Sequence, residues 1–201
     1  MANPFVLPLF PLDDAVLLPG AHFRIRRSTS WQSTILATAQ GYGNTVATSL
    51  VDGESVHEVG VTALVEETEG ETELHGLSRC RLLDLVREDV PLVRVERYPE
   101  QPRAGANRQQ SLARLLRAHY RQLCARLGLE STISRGEPAL AELTWKLTAG
   151  LGMPAEQQQG FLNVPDALTR GRLLLAALRE LEGRERFLRP WAHLRSPDGW
   201  N

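Results

Sequence analysis

Near residue 100 the spacing of apolar residues switches from the alternation of a strand to that of a helix, and this confines the chain to a sheet-forming half followed by a helical half. Upstream, Val59, Val61, Ala63 and Val65 alternate with Glu58, Gly60, Thr62 and Leu64, the period of a half-buried strand. Val93 and Val95 alternate with Arg94 and Glu96 within Leu92 to Tyr98, and Cys80 to Val86 is a third apolar segment. Between Glu66 and Glu73, Glu69-Gly70 marks a hairpin turn, since Gly supplies the positive φ that tight turns need. Many short strands separated by turn signals predict a barrel or sandwich over residues 1–100. One helix interrupts them from Ser30 to Gln40, with caps among Ser28, Thr29 and Ser30, a stop at Gly41, and Trp31, Ile35, Leu36 and Ala39 on one face.

Residues 101–107 lose periodicity, gather Pro, Gly and polar side chains, and read as a linker. Over 108–190 the pattern is helical. Leu112, Leu115, Leu116, Leu123 and Leu127 form a stripe with Tyr120 beside it, while Arg114, Arg117 and Arg121 fall on the opposite side. Pro138 opens a second helix carrying Leu140, Leu143, Leu147 and Leu151. Met153-Pro154 opens a third that ends near Leu162. Asn163 and Pro165 announce a last one that runs to about Leu181, with Gly183 as its stop. Gly171 within it costs about 1 kcal/mol relative to Ala, which points to a close helix crossing. Residues 191–201, with Trp191 and Trp200, form a carboxy-terminal tail. The expected class is α+β, a β-rich lobe followed by a small helical bundle.

Composition narrows the function. With 42% hydrophobic and 23% charged residues, a chain of this length buries a core without metals or disulfides. A formal net charge of −1 supplies no global field for holding phosphates. Cys80 and Cys124 stand far apart with no C-x-x-C, so neither a zinc site nor a disulfide is expected. No apolar run approaches the roughly 20 residues that cross a bilayer. Pro4, Pro8 and Pro11 break what would be the apolar core of a signal peptide, which makes the cytoplasm the simplest address and a membrane partner unexpected.

Two motifs carry a family resemblance. The opening Leu7-Pro8-Leu9-Phe10-Pro11-Leu12, continued by Val16-Leu17-Leu18-Pro19-Gly20, resembles the L-P-L-F-P-L…V-L-F-P-G signature of the amino-terminal, substrate-binding domain of Lon proteases. Gly76-Leu77-Ser78-Arg79-Cys80-Arg81-Leu82 is similar to that family's G-x-x-R-x-R-[IL] turn and strand, and the helical tail from Leu143 to Leu168 resembles its helical subdomain. The chain departs from the family's F-E-x-R-Y-like stretch, reading Ile25-Arg26-Arg27-Ser28-Thr29-Ser30-Trp31 instead. The resemblance implies a PUA-like β pseudo-barrel followed by a helical bundle, and a stand-alone module that binds a polypeptide or a partner protein. It also implies a groove between the two lobes; binding of RNA, which many PUA-like barrels read, is the alternative.

The chemistry of a complete Lon protease is not written in this sequence. No G-x-x-x-x-G-K-[ST] loop occurs to cradle nucleotide phosphates, and the only lysine, Lys146, follows Trp145 in a predicted helix. No G-x-S-x-G elbow or H-E-x-x-H pair occurs among the five histidines, although His57 and His75 could meet if their strands pair. The expectation is a non-enzyme without cofactor or metal. Trp31 and Tyr98, near element ends, are the candidate peptide anchors. Arg114, Arg117 and Arg121 are the candidate grip for an acidic partner or RNA.

Overall fold

The computed structural model describes residues 3–25, 29–68, 71–87, 89–101, 105–131, 133 and 138–188. The expected Glu69-Gly70 turn, part of the 101–107 linker and the whole 191–201 tail lie outside these residues. The described strands are β1 (Phe5–Leu12), β2 (His22–Ile25), β3 (Thr45–Asp52), β4 (Ser55–Val56), β5 (Val59–Thr68), β6 (Glu71–Arg87) and β7 (Leu92–Arg97). The helices are α1 (Ser30–Ala39), α2 (Ala106–Leu127), α3 (Leu140–Gly150), α4 (Ala155–Asn163) and α5 (Ala167–Leu188).

The sheet runs β1-β7-β6-β5-β3-β4, and β1 also pairs with β3 in parallel, which closes it into a barrel. Closure leaves β2, paired to β6, and the two-residue β4 as the only strands off the ring among those described. A cluster of Leu7, Leu9, Ala47, Cys80, Leu82, Val93 and Val95 comes entirely from strands. The backbones come close beside it: a Cβ on Gly60 would meet the Thr48 carbonyl oxygen at 2.1 Å.

Helix α1 covers one flank of the barrel with Ile35, Leu36 and Ala39. Of the candidate caps, Thr29 makes a capping box with Gln32. The helix does not stop at Gly41; a 3-10 turn carries it through Tyr42, and Gly43 at φ 65° ends it in the left-handed region.

The two family-like motifs meet in space. Pro19-Gly20, with Gly20 at φ 76°, turns the chain so that the Ala21 N–H donates to the Leu18 carbonyl. The Gly20 N–H donates to the Gly76 carbonyl, and a Cβ on Gly76 would lie 2.3 Å from the Leu18 oxygen. The segment expected to turn at Gly76 instead continues as one 17-residue strand, β6. Its register shift against β5 is a bulge: Thr62 pairs with Ser78 but Ala63 pairs with Gly76, so Leu77 is the extra residue.

The helical half has its own core, in which Leu112, Leu116, Tyr120 and Leu123 of α2 pack against Leu140, Leu143 and Leu147 of α3 and Leu174 and Leu178 of α5. Leu115 and Leu127, expected in the buried stripe, are exposed. α5 does not stop at Gly183 but runs to Leu188, because an exposed glycine lowers helix propensity without breaking the hydrogen-bond ladder. Gly171 does mark a close crossing: a Cβ there would lie 2.8 Å from Leu112 Cδ2.

Candidate functional site

The space expected to be a cleft between the two halves is filled. The Leu77 bulge places Arg79, opposite Val61, on the face of the strand that meets the helical half; in an unbroken register Ser78 would share the face of Gly76. Arg79 is buried and donates to the carbonyls of Leu162 at 3.1 Å, Val164 at 2.7 Å and Pro165 at 3.1 Å. Arg170 of α5 reaches the same point from the other side. Its Nε donates to Thr144 Oγ1 at 2.8 Å, and its two terminal nitrogens to the Val164 carbonyl at 3.1 Å and to Glu100 Oε1 at 2.7 Å.

Trp145 of α3 lies against both cations, with its ring centre 3.5 Å from the Arg170 guanidinium carbon and 5.5 Å from that of Arg79. Burial lowers the pKa of both arginines, with Glu100 opposing the shift; Arg170 falls to about 10 and so stays charged at neutral pH. The residues that define this junction, Trp145, Arg170 and Glu100, carry no motif. Trp145 falls off the stripe of Leu140, Leu143, Leu147 and Leu151, so helical spacing does not mark it as buried.

The candidate anchors divide. Tyr98 packs against the barrel core beneath the guanidiniums of Arg79 and Arg81, at 4.8 and 5.0 Å. Its ring is thereby engaged by two cations within the protein. Trp31 is 45% exposed in the first turn of α1 and keeps a free face. The expected arginine face does not form. Arg114 and Arg121 are exposed, but Arg117 is buried and donates to the Pro138 carbonyl at 2.9 Å, because its side of α2 faces the start of α3.

His75 pairs with His22 across β2 and β6, not with His57, and the two rings stack with centroids 4.3 Å apart. Among the described residues no three His, Cys, Asp or Glu side chains could share a metal ion. Lys146 lies half exposed beside Glu142, 2.7 Å away and one turn earlier. No helix among these residues is long and apolar enough to cross a membrane.

An open apolar hollow lies instead at the far end of the helical half, where α2, α3 and α5 finish together. It measures about 500 Å³ and is lined by Tyr120, Leu123, Leu127, Leu129, Leu151 and Leu181, with Glu130, Arg184 and Glu185 at its rim. Gly128, at φ 69°, ends α2 and lets the Leu129 N–H turn back to the Cys124 carbonyl. Leu127 and Leu129 are left 51% and 61% exposed at the rim. Sequence reading passed over this site, although its signal was present: Leu127 and Leu129 bracket a helix-ending glycine, where solvent-facing polar residues are the norm.

Residues 6–180 match the family model described as the ATP-dependent protease La (Lon) substrate-binding domain. A Lon protease of Salinispora arenicola is 30% identical over 182 residues, covering 86% of this chain but only 23% of that protein. The Lon N-terminal domain protein from Xanthomonas campestris superposes with a TM-score of 0.63 at 24% identity, over 86% of this chain and 98% of that one. The N-terminal domain of a Mycobacterium avium complex Lon protease gives a TM-score of 0.69 at 16% identity, over 87% of this chain and 98% of that one. The fold is therefore that of Lon N-terminal domains.

Proposed function

The chain belongs to the Lon substrate-binding domain family, and from that premise we propose that it binds unfolded polypeptide segments, taking their apolar side chains into the hollow between the ends of α2, α3 and α5. The observation that carries this reading is the pairing of an apolar hollow with the exposed Leu127 and Leu129 at its rim. Apolar surface left open in this way marks an interaction site. The junction between the halves offers no such space, since its cations are already held by carbonyls and by Glu100. RNA binding gains no support: the arginine face is split by the burial of Arg117, and the net charge is −1.

Titrating the protein with a fluorescent, permanently unfolded carboxymethylated polypeptide tests the reading. Leu127→Asp and Leu129→Asp change exposed rim residues and are expected to weaken binding about tenfold each, as loss of an apolar contact of about 1.4 kcal/mol does. Trp31→Ala, on the barrel half, is expected to leave it unchanged. Equal binding by all three variants removes the hollow as the site. Loss with Trp31→Ala alone moves the site to α1.

A further inference from the structure

The strand-only cluster around Val95 and the cluster of the helical half around Leu116 are separate cores, and among the described residues only Trp145 and Leu162 of the helical half enter the remaining, barrel-centred cluster. The rest of the junction is polar. Gln159 Nε2 donates to the Val59 carbonyl at 2.8 Å, the Gln101 N–H donates to the Pro165 carbonyl at 3.0 Å, and Arg79 binds the carbonyls that link α4 to α5.

Two ion pairs at this junction share one atom. Glu100 Oε1 lies 2.7 Å from Arg170 Nη2 and 3.4 Å from Arg79 Nη2, so a single carboxylate oxygen bridges a guanidinium from each half. The other oxygen, Oε2, is buried without a hydrogen-bond partner. The arginine side chains are 2% and 0% exposed and that of Glu100 is 33% exposed, so Glu100 is the least buried of the three partners. Glu100 also stands just after β7, where the chain leaves the barrel for the helices.

We infer that Glu100 is a clasp: the barrel and the helical bundle are two separately folded bodies, and this one carboxylate, set between Arg79 and Arg170, fixes their relative orientation. Without its charge two guanidiniums that repel each other face across the junction. Separating the halves relieves that repulsion at the cost of exposing Trp145 and Leu162, and it leaves each remaining core intact. The inference does not depend on what the hollow binds.

The test uses the full chain with nitroxide labels on introduced cysteines, since Cys80 and Cys124 are both buried. One pair spans the junction (Val56→Cys with Arg172→Cys), one lies within the barrel (Val56→Cys with Glu71→Cys) and one within the bundle (Gln110→Cys with Arg172→Cys). In Glu100→Gln the cross-junction distance distribution is expected to widen to at least about twice its original width, as a fixed interface becomes a tethered one. The two within-half distributions are expected to stay narrow, with amide exchange at Val61 and Leu174 still protected. A cross-junction distribution as narrow as in the parent overturns the clasp. Loss of protection in both halves together overturns their separate folding, and so does broadening of all three pairs.

Discussion

Burial sets the chemistry of the enclosed side chains Cys80, Arg79 and Arg170. Cys80 is enclosed by the barrel strands, and burial pushes its thiol from an ordinary value of 9.0 up to about 12, against a weak opposing hydrogen bond at Gly60. The native thiol is therefore neutral through the whole working range. Because the folded pKa lies above the unfolded one, this group's contribution to stability is complete below about pH 9. It is lost progressively as pH rises towards 12, when the unfolded chain ionises first. Iodoacetamide at pH 8 is expected to leave Cys80 unmodified in the native protein and to alkylate it fully in denaturant, read by peptide mass spectrometry; rapid native alkylation would contradict the enclosed position. Arg79 is the residue at which sequence and structure differ most in meaning: a motif position in the chain, a multiple carbonyl ligand in the fold.

At the level of elements, two glycines of α5 separate propensity from packing. Gly183 is exposed and a Cβ there meets nothing within 4 Å, so Gly183→Ala is expected to stabilise the protein by about 0.5–1 kcal/mol through helix propensity alone. Gly171 faces Leu112 at 2.8 Å and Leu140 at 3.4 Å. There the same substitution gains the propensity term but must displace buried leucines, a cost of about 1–3 kcal/mol, and a net loss of about 1 kcal/mol is expected. Urea denaturation midpoints of the two variants, at an unchanged slope, decide between these outcomes. The sequence points to a close crossing at Gly171 and to a stop at Gly183, and packing supports only the first.

For the whole molecule, the near-balance of charge and the apolar lining of the hollow predict that polypeptide binding depends little on salt. The affinity for the carboxymethylated polypeptide is expected to change less than about threefold between 50 and 500 mM salt, whereas binding through phosphate contacts falls by orders of magnitude over a narrower range. A steep salt dependence in the titration would argue for a charged surface instead. The sequence by itself determined the α+β class, the order of strands and helices, the start of α1, and the two motifs that place the chain in its family. These features rest on local periodicity and on turn residues such as Pro19 and Gly20, which act over a few residues. Only the tertiary structure decided that the Leu77 bulge turns Arg79 towards the bundle, that Trp145 lies between two cations, that Arg117 is buried, and that the open hollow lies at the end of the helices rather than between the halves. Each of these depends on contacts between segments distant in the chain, whose register and packing are settled when the elements meet and leave no periodic trace in any one of them.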